Sequence, residues 1–302
     1  MTTLRTDPSV ATSTEPRQAE RAVMGFGSAL RGELFAARRA KAVWIVALIW
    51  AIQIAAFAYT VSFITGTNPE WFTAAEIDAQ LANLLPAGVG YYILASIPIY
   101  AAPLMIILGA ILGGSDSAKH TVSVVLSRFR NRDVFLAARF CTAALISVLI
   151  AVVTVAVSAV SAVVVAIASD SPIEMPPVSE VAIGLLSAAL LTAAFMFFGL
   201  ALGLVTRNAF VASGIGIAWI LGIETLLVGS LAPVFPALES VQAFFLTGAS
   251  SSIVAAATPA GRSSIPEAIA HTAGPAAVAI LVLWLAISMT SALLVFRKRD
   301  LN

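Results

Sequence analysis

The side chains that could do chemistry in this chain are few and far apart. Glu224 is the one acidic residue inside an apolar stretch long enough to cross a membrane, and its position places it in the outer third of the bilayer. A carboxyl group there could line a substrate path, lie between two copies of the chain, or carry a coupled ion; the plain alternative is that the helix ends early. Cys141 is the single cysteine, which excludes an internal disulfide and a cysteine metal cluster.

Residues Gly113 to His120 match the phosphate-binding loop motif only in part. The pattern G-x-x-x-x-G-K-[ST] needs a second glycine where Ala118 stands and a hydroxyl where His120 stands, and no predicted strand precedes it. Nothing else in the sequence resembles a nucleotide site, a nucleophile with its base, or a pair of carboxylates. We therefore predict no catalytic residue, no cofactor site and no enzyme activity in this chain.

The composition decides the class of protein. Of 302 residues, 60% are hydrophobic and 11% charged, with a mean hydropathy of +0.97. Soluble domains carry about 25% charged residues, so a soluble fold is excluded. The net charge of +1 gives no field that would attract nucleic acid. The chain is predicted to be an all-α polytopic membrane protein.

Six apolar stretches are long enough to cross the ~30 Å hydrocarbon layer as helices. They are continuously apolar rather than alternating, which favours helices over a β-barrel. We predict one six-helix transmembrane domain over residues 25–302, after a disordered Thr-, Ser- and Pro-rich cytoplasmic tail over residues 1–24. The predicted spans cover residues 42–65, 89–114, 140–169, 181–206, 210–230 and 272–296.

The basic residues predict the orientation of these spans. In the six-span arrangement, all of the 17 Lys and Arg residues except Arg262 fall on one side, which is the cytoplasmic side by the positive-inside rule. Both termini are then cytoplasmic, and the chain is placed in the plasma membrane. His120 and His271 fall on opposite faces and cannot share a metal ion, so no metal site is predicted.

Two cytoplasmic segments are expected to form helices outside the spans. Phe26, Leu30 and Leu34 recur every four residues, which predicts an amphipathic helix in the inner membrane interface; a simple extension of the first span is the alternative. Residues 113–139 contain a second amphipathic pattern, which predicts a short helix able to pass a push from a cytosolic partner into the spans. The alternative there is a solvated basic loop that only enforces topology.

On the outer side, two connections carry apolar residues. Residues 66–87 predict a short surface helix. Residues 241–257 are apolar but too short to span comfortably, and prolines bracket them, so a re-entrant or interfacial segment is predicted before the last span. Tyr91 and Tyr92 are expected in the outer aromatic belt.

Small residues and prolines predict how the spans pack. The pairs Gly109–Gly113 and Gly199–Gly203 each have the G-x-x-x-G spacing that lets helices approach closely. Pro98 and Pro103 are expected to kink the second span.

Taken together, these features resemble the membrane subunits of ABC-2 type ABC transporters. Residues 28–39 look like the connecting helix that leads into the family's first span, and residues 116–139 resemble its first cytoplasmic loop. The apolar segment before span six resembles the family's re-entrant helices, and residues 296–301 its basic-Asp ending. Two departures stand out: His120 replaces the glycine of a Gly-Thr pair, and residues 127–131 lack the usual proline.

The resemblance implies a permease that pairs with a second permease chain, identical or different, and binds two cytosolic ABC ATPase subunits, which would hold the ATP and Mg²⁺. It also implies export of amphipathic substrates. The residues implied at the connecting helix are Phe26, Leu30, Glu33 and Leu34, and those at the ATPase-coupling loop are Asp116, Lys119, His120, Thr121, Leu126, Arg128 and Arg132.

Glu224 and the aromatic residues Phe195, Phe198 and Trp219 are predicted to line a translocation path or a dimer seam. Phe195, Phe198 and Trp219 would suit an amphipathic cargo, and ordinary core packing explains them equally well. Two other functions remain open. One is an ion-coupled secondary transporter that uses Glu224, and the other is a membrane immunity or scaffold protein without transport.

Overall fold

The computed structural model describes residues 25–118, 132–259 and 268–298. For residues 115–118, Arg132, Phe296 and Lys298 it describes the backbone only. The predicted tail over residues 1–24 lies outside the described residues. The described part is helical and contains no strand, and six of its helices are long and apolar enough to cross a membrane. The predicted all-α polytopic fold is therefore confirmed.

We number ten helical elements of the described part in chain order and leave the short 3-10 turn Pro86–Gly88 unnumbered. The six spans are α2, α4, α5, α6, α7 and α10. The bounds are α1 Phe26–Arg39, α2 Lys41–Gly66, α3 Ala74–Leu84, α4 Tyr92–Gly114 (continuing to Ala118), α5 Arg132–Ala168, α6 Val178–Thr206, α7 Ala209–Leu231, α8 Pro236–Gln242, α9 Leu246–Ala257 and α10 Gly274–Lys298.

The bundle has two ends. We call basal the end at which α2, α5 and α7 begin and α4, α6 and α10 end, and apical the opposite end. The basal end of α5 lies beside α10, because the Arg297 guanidinium pairs with the Asp133 carboxylate there. Between α6 and α7 the chain turns in two residues: Arg207 adopts a left-handed conformation (φ 56°), and the Asn208 side chain accepts from the N–H groups of Phe210 and Val211.

Glycines bring α4 and α6 together along much of their length. A Cβ atom on Gly109 would lie 2.1 Å from the Met196 carbonyl oxygen, and one on Gly199 would lie 2.2 Å from that of Ile106. Gly113 and Gly203 make equally close approaches one turn further on. The two predicted G-x-x-x-G motifs therefore face each other, and their backbones touch with no room for a methyl group.

Three of the spans depart from regular α-helix. Ile54–Val61 of α2, Ile97–Ala101 of α4 and Ala218–Val228 of α7 are π-helical. In α4 the irregular part contains Pro98, and regular helix begins only at Ala102. Pro103 is the second residue of this regular part, which continues directly from the π-helical turn. The departure from regular α-helix in this span therefore lies in its apical part, which contains Pro98.

Span bounds follow the prediction closely except in α5. The helix begins at Arg132, whereas the apolar pattern predicts a start at residue 140. At 1.5 Å per residue its 37 residues extend about 55 Å, well beyond a ~30 Å hydrocarbon layer. The apolar pattern stops at Arg139, but that side chain is paired and does not end the helix.

The apical connections also form helices. The first, α3, begins with a capping box in which Thr73 and Glu76 bond to each other's backbone N–H. The second consists of α8 and α9, which meet at 75°. Leu246, Ala249 and Val254 of α9 are fully buried, so this helix is inserted among the spans. That favours the re-entrant form of the prediction over the interfacial one.

The aromatic-belt prediction is wrong for Tyr91. This side chain is 2% exposed, and its hydroxyl donates to the Asn83 amide oxygen, 3.1 Å away. Tyr91 faces inward, where the buried end of α3 offers its hydroxyl an acceptor.

Candidate functional site

The amphipathic helix α1 is fixed to the base of α5 by a buried ion pair. The Arg139 Nε and Nη2 atoms donate to the two Glu33 carboxylate oxygens, and each donor–acceptor distance is 3.2 Å. The side chains are only 8% and 16% exposed, respectively, and the guanidinium also lies 4.7 Å from the Phe135 ring centroid. This two-bond geometry fixes the orientation of α1 as well as its distance from α5.

The sequence pattern explains why α1 presents this face. Ala29, Glu33 and Ala37 are spaced by four residues, and the two alanines are almost completely buried. Small side chains on either side of Glu33 let the helix approach α5 closely enough for the pair to form. Of the residues predicted here, Leu30 and Leu34 are half-buried on this face, whereas Phe26, the first residue of the helix, is 45% exposed.

A buried ion pair is weak evidence for net stability, because removing both charges from water costs about as much as their attraction returns. Its strong effect is on specificity. Loss of one partner leaves an uncompensated buried charge, so alternative positions of α1 that separate the pair are penalised. The Glu33–Arg139 pair therefore favours this position of α1 against the base of α5 over positions that separate the two charges.

A second ion pair reaches the same end of α5 from the last span. Arg297 and Asp133 pair in a two-bond geometry, but their side chains are 66% and 41% exposed. Solvent screens such a pair strongly. We therefore assign it a small part in holding α10 against α5.

The predicted ATPase-coupling loop joins α4 to α5 at this basal end. Its residues Lys119, His120, Thr121, Leu126 and Arg128 lie outside the described residues, as does the short helix predicted there. Asp116 and Arg132 belong to the adjoining ends of α4 and α5, and their side chains also lie outside the described part.

At the apical end, Glu224 binds the start of the re-entrant helix. Its Oε2 atom accepts from the Thr247 N–H at 2.9 Å and from the Thr247 hydroxyl at 2.8 Å, and its Oε1 atom accepts from the Trp219 indole at 2.7 Å. Glu224 is 1% exposed. A carboxylate that accepts from the first N–H groups of a helix acts as its N-terminal cap.

The π-helical part of α7 positions this carboxylate. It places Trp219 and Glu224, five residues apart, so that their side chains meet, and Phe245 packs edge-on against the Trp219 ring. Trp284 of α10 donates to the Phe244 carbonyl oxygen at 2.9 Å, and the Ser252 hydroxyl accepts from the N–H groups of His271 and Thr272. The re-entrant helix is thus held at its start and, through Ser252, near its middle.

The residues predicted for a translocation path do not form one surface. Trp219 and Glu224 lie together, Phe195 is fully buried in α6, and Phe198 packs edge-on against Trp284. Glu224 is a buried helix cap in this arrangement.

Sequence reasoning missed how these groups pair. Glu33 is singled out in the connecting helix and Arg139 only ends the range of residues 116–139, with no sign that the two meet, and Thr247 is not singled out. One signal was present: Glu33 is the only acidic residue in a basic helix, and Arg139 directly precedes the apolar part of α5. Among the described residues, no group of three or more His, Cys, Asp or Glu side chains could hold a metal ion.

Comparison with known proteins places the chain in a family. No curated protein matches it. A family model with the description "Protein of unknown function (DUF2705)" matches residues 97–302, which include most of α4, the four later spans and the re-entrant helix. Because this match covers more than half of the chain, the protein belongs to the DUF2705 family.

Proposed function

We propose that this chain is the permease subunit of an ABC-2 type exporter and is driven by a separate cytosolic ATPase. The basal end is the cytoplasmic one in this proposal, as the distribution of basic residues indicates. Two ATPase subunits would supply ATP and Mg²⁺, and a second permease chain would complete the path across the membrane.

One observation carries the proposal most directly, namely the buried Glu33–Arg139 pair. It joins a helix outside the spans to a span that, at about 55 Å, is too long to lie wholly within the hydrocarbon layer. A helix that lies on the bundle only for topology would not need a buried, geometrically specific contact. A helix that transmits a displacement needs such a contact, because the two helices must keep their relative position while one of them is moved.

The exposed side of α1 suits a partner surface. Phe35 is 58% exposed, and the Arg39 guanidinium lies 4.3 Å from its ring centroid. Arg31 and Arg38 are also exposed on this helix. Such an aromatic and arginine-rich surface is typical of protein interfaces. An ATPase that pressed on α1 or on residues 119–131 would move the base of α5 in either case.

The test is a charge exchange at the buried pair, assayed in the complex of the chain with its ATPase in nanodiscs. Glu33→Arg and Arg139→Glu each place two like charges together and should lower the permease-dependent ATPase rate about tenfold. The double exchange should restore most of the rate. Arg139→Lys keeps the charge but loses the two-bond geometry, and should fold normally while coupling less well.

Asp133→Asn is the matched control, since it breaks an exposed pair at the same end and should change the rate by less than about twofold. Size-exclusion chromatography of each variant checks that it is folded. The proposal fails if the single-exchange variants fold and stimulate the ATPase normally. It also fails if the double-exchange variant stimulates the ATPase no better than the single-exchange variants do.

A further inference from the structure

A cavity of about 530 Å³ lies in the apical half of the bundle, between α2, α3 and the start of α4. Ligand pockets for small molecules typically enclose about 300–1,000 Å³. The cavity is therefore large enough for an organic molecule and too small for a folded protein segment. None of its lining residues belongs to the basal site or to the Glu224 cap.

The wall of the cavity is irregular but fixed. Two π-helical segments contribute to it, Ile54–Val61 through Phe57 and Ile97–Ala101 through Tyr100. Such segments occur often at functional sites, because they redirect side chains away from the regular helical pattern. The Tyr92 hydroxyl, at the start of α4, donates to the Ala58 carbonyl oxygen of the first segment at 3.0 Å and so joins α4 to α2. The cavity is thus largely preformed.

Aromatic side chains line one side of the cavity. Phe57 and Tyr100 are 60% and 50% exposed although both lie on spans, so the cavity reaches the outer surface of the bundle between them. Trp50 is 1% exposed, and its indole donates to Thr154 at 2.8 Å, which fixes the ring in place. A molecule with an apolar body can therefore enter sideways from the hydrocarbon layer and rest against fixed rings.

The polar side of the cavity carries one negative charge and one acceptor atom without a hydrogen-bond partner. The Gln53 amide oxygen is buried without a hydrogen-bond partner, and a buried acceptor of this kind is normally satisfied. Glu76 is the single charged residue among the lining residues. Hydrogen bonds from the Thr73 N–H and hydroxyl hold the pKa of its carboxyl below the ordinary value, so it is negative at neutral pH.

We propose that this cavity binds a cationic amphiphile, with its ammonium group toward Glu76 and Gln53 and its apolar body against Phe57 and Tyr100. An ammonium N–H supplies the donor that the Gln53 oxygen lacks, and its charge complements Glu76. The surrounding aromatic faces also attract cations. The inference names a substrate class for the exporter, and its transport part rests on the proposed function, whereas binding needs only this chain.

Binding is tested with the purified full-length chain in phosphatidylcholine nanodiscs, without ATPase. Rhodamine 6G, a cationic amphiphile with N–H donors, serves as the fluorescent probe, and empty nanodiscs correct for partition into lipid. Dodecylammonium should displace the probe at least about tenfold better than dodecanoate, which has a similar apolar chain and the opposite charge. Equal displacement by the two would overturn the inference.

Variants locate the site. Glu76→Gln removes the charge but can still complete the capping box, and should weaken probe binding about tenfold. Asp78→Asn is the matched control, because Asp78 is an exposed acid on the same helix and does not line the cavity. Ser96→Phe should fill the cavity and abolish probe binding. If Ser96→Phe folds poorly, Gln53→Leu tests the site instead by removing the unpartnered acceptor.

The outcomes separate this inference from the proposed function. Binding unaffected by Glu76→Gln, Gln53→Leu and Ser96→Phe overturns the cavity assignment, even if the ATPase couples normally through Glu33 and Arg139. Binding that depends on these residues supports the assignment, even if no ATPase associates with the chain.

Discussion

At the scale of single residues, the two basal ion pairs have the same geometry but should differ in strength because they differ in burial. Glu33→Gln or Arg139→Gln leaves a buried charge without its partner, which costs about 3 kcal/mol of unfolding free energy. Asp133→Asn breaks the exposed pair and should cost less than about 1 kcal/mol. Steric trapping in bicelles measures all three variants.

The double variant Glu33→Gln/Arg139→Gln completes the cycle. Because both charges are then absent, it should be destabilised by clearly less than the sum of the single variants. Equal losses for Glu33→Gln and Asp133→Asn, or strict additivity, would contradict the assignment of Glu33–Arg139 as a specific buried pair.

The capping box of α3 makes a pH prediction at the same scale. Since the pKa of Glu76 is lowered in the folded chain, its contribution to α3 is fully present above the ordinary glutamate pKa. It is lost as the pH falls through the lowered value. A carbon-13 NMR titration of the carboxyl group should show this lowered pKa, and Thr73→Ala should return it toward the ordinary value. An unchanged pKa in Thr73→Ala would contradict the cap.

At the scale of helices, the start of α9 depends on Glu224 and Thr247. Thr247→Val removes one of the donors to the carboxylate and should loosen the cap by about 1–2 kcal/mol, whereas Thr247→Ser keeps the hydroxyl and should not. In a Cys141→Ala background, a cysteine replacing the fully buried Ser250 reports the opening of α9. Its maleimide labelling should speed up about tenfold with Thr247→Val. Equal labelling rates in the valine and serine variants would argue against the cap.

The contact between α4 and α6 predicts that two glycine-to-alanine substitutions change the stability of the bundle in different directions. Gly199→Ala drives a methyl group into the Ile106 carbonyl oxygen and should destabilise the bundle by about 2 kcal/mol. Gly214→Ala, on α7, meets nothing within 4 Å and should be neutral or stabilising by up to about 1 kcal/mol, because alanine favours helix. Thermal unfolding in detergent compares the two. Similar effects from both would mean that the helices do not touch at Gly199.

The helices were predictable from sequence because the bilayer sets a length and apolar side chains report it directly. The glycine motifs of α4 and α6 were also correctly singled out. Pairings across the fold were not predictable, since Glu33 and Arg139 are 106 residues apart and their meeting depends on how α1 packs. Glu224 was singled out as an acid within a span, but its role as a cap becomes visible only when Thr247 lies beside it. The burial of Tyr91 was missed for the same reason.

At the scale of the whole molecule, the two ends of the bundle have different parts in our account. The basal end carries the buried pair and receives the displacement, while the apical end holds the re-entrant helix and the cavity between α2, α3 and α4. The closely packed α4 and α6 run between the two ends with their backbones in contact. Movement of α5 against this pair of helices would change the apical end without breaking the bundle.

The central claim is that the motor resides in another polypeptide. Affinity isolation of the tagged chain from its native membranes in mild detergent tests it most directly. The account predicts that a soluble P-loop ATPase is recovered in amounts comparable to the chain, and that Glu33→Arg weakens this recovery or its ATPase stimulation while Asp133→Asn does not. Recovery of the chain without any ATPase, together with uphill transport by the chain reconstituted alone, would contradict it.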